Sequence, residues 1–535
     1  MTKDTKVGKS VGSPSDRKNV TRREFMDKAA VLGVSTAVIA GTGASMFPAE
    51  AQASTPKRGG HLRVGVASGN SSDSFDPHLK SGEFTNLTRK AFRNCLGEVD
   101  HTGALVPELA ESWEAAGSAS RWKFNLRKGL TFHDGKTLDI DDVMQTINYH
   151  RREGSKSSSA KFARTITDMK KDGTHSVIME LEGPNANFPY IAGSFEIMSF
   201  NKAGESYDFN NGTGSYVMKE FKPGQRARLE RDPNHWREGV GWFDSIELTP
   251  ILDIAARQNA LLTNEVDVIS RPSPKTFPRL KQAKGIETAQ ATGKLHRAWP
   301  MQIDQAPFNN IDVRQALRHA VNREEILAKV LNGGGSLGND HPIARADQYY
   351  NPNIPQRPYD PEKSKFLLKK AGMSDLKVTL HTSEHLWAGA LDAALLYSEH
   401  AKKAGIELTI KKVPSDGYWS HTWRKVPWSS SYWNAGPTAD HILTRAYGAD
   451  APWNETKWQH PRFNELLEAA RGELDFDKAR EMYWEMQEII HHEGSTVISV
   501  FADELYAYSD KLGHGTIASD WEMDGFHLLE RWWFK

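Results

Sequence analysis

Apolar and polar positions along the chain repeat in two rhythms, and each change of rhythm marks an element. In "HLRVGVAS" (61–68), Leu62, Val64 and Val66 recur with period two, as in a half-buried strand. Trp122, Phe124 and Leu126 share one face of another strand. Leu130 and Phe132 continue its parity, and Asp134-Gly135 signals a hairpin turn. The spacing then lengthens. Asp139 is placed to cap a helix carrying Val143, Met144 and Ile147, with Asp141 and Asp142 in the first turn, where negative charge suits the helix dipole. Asp312 heads a stripe of Val313, Ala316, Leu317, Ala320 and Val321. Asn322, with Glu325 three residues on, resembles a capping box ahead of Ile326, Leu327 and Val330. "DPEKSKFLLKKAG" (360–372) offers Asp360 as cap, Pro361 at the first helical position and Gly372 as terminator. Ala479, Met482, Tyr483, Met486, Ile489 and Ile490 form a last stripe, stopped near Gly494. Short apolar strands lie between: "KVTLHT" (377–382), "IELTIKKV" (406–413) and "TVISVF" (496–501). Strands alternating with helices predict an α/β fold.

One stretch raises a chemical question. "WKFNLRKGLTFHDGKTLDIDDV" (122–143) gathers His133, Asp134, Asp139, Asp141 and Asp142. Such a set can ligate a metal or move protons, or it can be the turns and caps of a scaffold. The turn and cap positions just assigned favour the scaffold.

Composition narrows the classes. A length of 535 residues allows two or three domains, and equal numbers of basic and acidic residues, 68 each, give no net field toward nucleic acid or an anionic membrane. The single cysteine, Cys95, excludes an internal disulfide framework and any multi-cysteine metal site. Sixteen tryptophans offer large contact areas for cores or pockets. The N-terminus reads as an export signal: a basic start, a short apolar run from Ala29 to Ala44, and small residues Ala51 and Ala53 in "AEAQA". Arg22-Arg23 before Glu24-Phe25-Met26 resembles a twin-arginine signal, and residues 1–53 are expected to be removed after Ala53.

Several separated stretches together resemble the extracytoplasmic solute-binding proteins of ABC transporters, in the peptide/nickel-binding (family 5) branch. They are "LVPELAESWE" (105–114), the 122–143 stretch, "GTGSYVMKEFKPGQRARLERDPNHW" (212–236), "ALLTNEVDVI" (260–269, with Asn264 where glycine is usual), "PFNNIDVRQALRHAVNREEI" (307–326) and "YDPEKSKFLLKKAG" (359–372). The resemblance implies a type II periplasmic-binding-protein fold of two lobes plus an extra subdomain. Lobe I would comprise 54–89, the extra subdomain at 90–210, and 211–301. Lobe II would span 302–495, and 496–535 would return to lobe I. Crossing strands near His296–Ile303 and Thr496–Asp503 would act as hinge.

The function so implied is capture of a small organic solute (a peptide, or a peptide-like or amino-acid derivative) and delivery to permease subunits in the inner membrane, by a periplasmic monomer without cofactor, catalysis or nucleic-acid partner. A micromolar complex needs about 8 kcal/mol net. Two enclosing tryptophans, each burying roughly 150–250 Å², supply about 4–6 kcal/mol gross apiece. The resemblance points to "SSSYWNAGPTADH" (429–441), where Trp433 aligns with a pocket tryptophan of the peptide binders. The aspartate that holds the peptide ammonium there is replaced by Asn434, Ala435 and Gly436. Asp440 or Glu83 then supplies the charge, or the solute is another kind, such as a modified peptide or a glycoside. On this reading Trp433→Ala weakens binding at least tenfold and spares the fold. Ser81, Glu83 and Phe84, Arg271, Trp299, His385, Trp387 and Tyr418 are further pocket candidates by position.

Two other classes remain. Nickel or metal-chelate binding is an alternative within the family, although the neighbouring His491 and His492 point about 100° apart on a helix. An exported enzyme is the other; the chain carries no dinucleotide loop, cluster ligation pattern or nucleophile elbow.

Overall fold

The computed structural model describes residues 55–535 except Lys80, Ser81, Ser158, His385, 415–417, Ala435, Pro437, Asp450, Pro452 and Asp520. The export signal with Arg22, Arg23, Ala51 and Ala53, and the candidates Ser81 and His385, therefore lie outside the described residues.

Two long strands organise the molecule. Ile286–Pro300 and Thr496–Ser509 pair antiparallel along most of their length, from Ile286↔Ser509 to Pro300↔Thr496. They sit inside a nine-stranded sheet. One flank of this sheet holds His61–Val66, paired in parallel with Ser245–Pro250 and Val268–Ile269. The other flank holds Ser431–Trp433 against Ile286–Pro300, and Gly335–Leu337 against Thr496–Ser509. The strands pass from one apolar core to another. Ala291, Tyr506 and Tyr508 pack with Leu62, Phe84 and Leu248, while Trp299, Val497 and Val500 pack with Leu317, Tyr397 and Trp428. Between these two groups the pairing slips, at Ala291/Leu295. A bulge bends the bulged strand and sharpens its twist, and this one falls where the strands leave one core for the other. This is a two-lobed α/β fold joined by crossing strands.

The 122–143 stretch belongs to a third core, an antiparallel sheet of four strands with its own helices. Its turn forms as expected, Gly135 at φ 84° with its N–H on the Phe132 carbonyl. Asp139 accepts from the Asp141 and Asp142 amides, and Asp142 accepts from the Asp139 amide. Asp142 is fully buried and also takes the Phe200 amide and Lys136. His133 is bonded through Nε2 to the Gly214 carbonyl at 2.8 Å. Each group has a structural task, so the scaffold reading holds.

The caps of the second lobe follow the sequence at Asn322, whose side chain accepts from the Glu325 amide, and at Asp360, which accepts from Lys363. One start differs. The helix Ile311–His319 is capped by Asn310, whose side chain accepts from the Asp312 amide, and Asp312 sits in its first turn. That lobe also contains the parallel pair Lys377–Thr382 and Glu407–Lys412, bridged by the helix Ala390–Lys403. The second crossing strand is pinned by buried charge. Arg323 and Arg357 each hold Asp340 at 2.7 Å, Arg323 also donates to the Ile498 carbonyl, and Asp340 receives the Ile498 amide.

Candidate functional site

Register along the crossing strands decides which side chains face which way. Arg297 stands opposite Val500 on one side and Tyr432 on the other; its neighbour His296 stands opposite Phe501 and Trp433. Directly opposed residues share a face and successive residues alternate. Arg297, Tyr432 and Val500 therefore lie on one face, and His296, Trp433 and Phe501 on the reverse.

The Arg297 face collects charge and aromatic surface from both lobes. The guanidinium lies over the Trp387 ring at 4.9 Å and the Tyr432 ring at 5.8 Å. Tyr432 is 36% exposed and touches Trp419, itself 45% exposed. Glu504, four residues beyond Val500, shares the parity of that face. From the first lobe come Glu83, at the start of the helix Glu83–Phe92, and Arg271, just past Val268–Ile269. Arg271 is bound to Glu522 at 2.8 Å through Nε and stands 3.5 Å from Glu83. Its φ of 47° turns the chain at this point. Burial, then the charge of Glu522, pushes Glu83 up to about 7, and the same two causes push Glu504 up to about 7. Burial lowers the Arg297 guanidinium to about 10, against the pull of Glu504.

The lobes touch beside this face. Lys275 pairs with Asp392 at 2.9 Å, and the Asn332 side chain donates to the Pro274 carbonyl at 2.7 Å. The extra subdomain meets the second lobe on the reverse side, where the Ala186 amide donates to the Arg471 carbonyl and Asn187 to Tyr483.

The expected pocket residues divide between these environments. Trp387 lies under the Arg297 guanidinium, and Glu83 and Arg271 lie in charge range of Glu504 on the same strand pair. Phe84 and Trp299 are core residues; Trp299 is 1% exposed and stacks on Tyr397. Tyr418 is buried and donates to the Ser430 carbonyl at 2.7 Å. Trp433 is buried on the reverse face, its indole N–H on Glu455 at 2.8 Å. Asn434 is half-buried. Gly436 has φ 72°, and a Cβ there would meet the His441 ring at 2.1 Å, so the position requires glycine. Asp440 is buried against Arg471 at 3.2 Å and Thr444. Sequence reasoning passed over Arg297, Tyr432 and Glu504, although the first and last lie in or beside the crossing strands that it marked.

Elsewhere, a cavity of about 410 Å³ opens beside His78, Arg89, Arg93 and His150. Its two arginines already pair with Glu196. Among the described residues no three His, Cys, Asp or Glu side chains converge as a metal site would need. His491 is held by the Asn339 carbonyl, and its ring stands nearly perpendicular to that of His492.

A two-lobed fold whose charged and aromatic groups meet at the strand crossing is the architecture of a solute-binding protein. The chain belongs to the bacterial extracellular solute-binding proteins, family 5, whose model matches residues 104–455. It is 26% identical over 479 residues to the dipeptide-binding protein of Escherichia coli (strain K12), covering 80% of this chain and 87% of that protein. The fold matches that of the periplasmic binding protein DppA from Helicobacter pylori in complex with peptide STSA, with TM-score 0.72 and 21% identity over 89% of this chain and 98% of the other. It also matches the nickel ABC transporter structure from Bacillus halodurans, with TM-score 0.71 and 20% identity over 86% and 97%.

Proposed function

We propose that this chain is the exported capture subunit of an ABC importer. It holds a peptide or an amino-acid derivative between its lobes and releases it unaltered to permease subunits in the inner membrane. Export by the twin-arginine route, with cleavage after Ala53, and action as a periplasmic monomer complete the reading. The observation that carries it is Glu504 on the crossing strand, in charge range of Glu83 and Arg271 from one lobe and of Arg297, whose guanidinium lies over Trp387 and Tyr432 of the other. Charged groups drawn from both lobes bind best when the lobes are shut, so a solute that bridges them shifts the population toward the closed form.

The family's ammonium-binding aspartate has no counterpart at Asn434. In this reading Glu83 and Glu504 take its place, because Asp440 is engaged by Arg471. Neither Glu83 oxygen accepts a well-formed hydrogen bond. A solute ammonium supplies what that buried carboxylate lacks. The test is calorimetry of refolded, solute-free protein against dipeptides, amino-acid derivatives, sugars and nickel. Binding of an amine-bearing organic solute, with a smaller radius of gyration on binding, is the expected result. Saturable nickel binding without any organic binder would replace the reading with metal capture.

A further inference from the structure

Arg297 is an unusual arginine. Its Nε has no hydrogen-bond partner, and among the described residues no carboxylate comes within ion-pair distance of it. Two rings neighbour the guanidinium instead, Trp387 at 4.9 Å and Tyr432 at 5.8 Å. Cation–π contact offsets part of the cost of desolvating the charge but satisfies none of its N–H groups. The Trp387 indole N–H, buried beside it, also lacks an acceptor. Two neighbouring donors without an acceptor make a fork matched to an anion with two oxygens.

The surroundings select the anion. Glu504 shares the face, and Glu83 and Glu522 lie next along it, around Arg271. Glu504 beside the fork repels a multiply charged phosphate far more than a single carboxylate. We infer that Arg297, held between Trp387 and Tyr432, receives a carboxylate of the captured solute, with the Trp387 indole N–H as second donor. This deepens the reading of the chain as a solute-capture subunit and rests on it. The carboxylate can be a peptide terminus or an acidic side chain.

Three probes separate these sources by calorimetry: alanyl-phenylalanine, its C-terminal amide, and alanyl-glutamate as the C-terminal amide, which keeps only a side-chain carboxylate. Wild type is expected to bind at least one carboxylate-bearing probe about 30-fold or more tighter than alanyl-phenylalanine amide. Arg297→Gln should erase that preference by weakening the carboxylate forms alone. Arg297→Lys should keep part of it, and Trp387→Phe, which retains the ring, should lose only the second donor. An unchanged circular dichroism spectrum and melting temperature establish that each variant is folded, and Arg297→Lys tests the point if Arg297→Gln does not fold. Whichever carboxylate probe binds tighter identifies the source. A preference that survives Arg297→Gln, or a wild type that binds the uncharged amide equally well, overturns the inference while leaving peptide capture standing. Binding of none of the three overturns both.

Discussion

Asp440 is tied to Arg471, with Oδ1 accepting from Nε at 3.2 Å. Arg471 also donates to Thr444, and its carbonyl receives the Ala186 amide of the extra subdomain. Burial raises the Asp440 pKa against the pull of that arginine. A carboxylate so placed is part of a joint. Asp440→Asn is expected to lower unfolding free energy by about 1–3 kcal/mol, the range for a hydrogen bond to a charged group, while solute affinity changes less than about threefold. Denaturant unfolding and calorimetry read the two effects separately. A large loss of affinity at unchanged stability would return Asp440 to the pocket.

Trp433 lies on the reverse face and its neighbour Tyr432 on the Arg297 face. The Trp433 indole donates to Glu455, which also receives Ser431 and Trp423. Trp433→Ala leaves a cavity and strips a donor from a buried carboxylate, so it is expected to cost about 3–5 kcal/mol of stability instead of sparing the fold. Tyr432→Ala removes a ring that is 36% exposed. It should leave unfolding within about 1 kcal/mol and weaken solute binding about tenfold or more, as expected for an aromatic that encloses the ligand. Denaturant midpoints together with dissociation constants for the pair decide it.

Much of the fold could be read from local pattern because local chemistry made it. Period two at Leu62, Val64 and Val66 needs only one buried face, and the Asp139, Asn322 and Asp360 caps need only a side chain within reach of its own helix. In "NNID" (309–312) Asn310 and Asp312 compete for the same role, and the helix takes Asn310 because Asp312 already lies inside its first turn. The site was less legible for a physical reason. Whether Trp433 or Tyr432 faces the Arg297 side is a matter of register against Ile286–Pro300, and a one-residue slip inverts every face. Neither Trp387 nor Tyr432 is near Arg297 in sequence, so nothing local announces the clamp.

Acid sensitivity should arise on the reverse face. His296 is fully buried, opposite Phe501 and Trp433, with His341 and the Arg297 charge nearby, and neither His296 nor His341 has a ring nitrogen in a hydrogen bond. Burial, then Arg297, lowers His296 to about 3; burial lowers His341 to about 4. The unfolded value is about 6.5, so the unfolded chain binds the extra proton between those limits. The neutral imidazoles therefore leave stability intact above about 6.5 and remove it as pH falls, by about 1.4 kcal/mol per unit for each group. Raised carboxylates such as Glu83 and Glu504 act in the opposite sense between 4.5 and about 7, so the clean measurement is a comparison. Between pH 6.5 and 4.5 the wild type should lose about 2–3 kcal/mol more than His296→Leu. Parallel pH profiles for the two proteins would show that His296 does not titrate on unfolding.

Solute affinity should carry its own pH signature. Glu83 and Glu504 both stand near 7 because burial and Glu522 penalise their charge, and the ionised forms are the ones that attract an ammonium group. Below 7 these carboxylates are largely protonated, so binding of a free-amine dipeptide must strengthen as pH rises toward neutrality. A peptide α-amine loses its own proton near about 7.7–8.0, so the affinity must fall again above that point. The expected profile for alanyl-phenylalanine is a bell with its maximum near about 7.5, its basic limb falling about tenfold per pH unit and its acidic limb at least as steeply, because two carboxylates are protonated there. Acetylating the amine should flatten the acidic limb and weaken binding at neutral pH. Because the bound ammonium favours the ionised carboxylates, binding at pH 6.5 should also release protons, which calorimetry in buffers of different ionisation enthalpy measures directly. Affinity that rises steadily toward acid, or proton uptake on binding, would remove Glu83 and Glu504 from the amine end of the cleft.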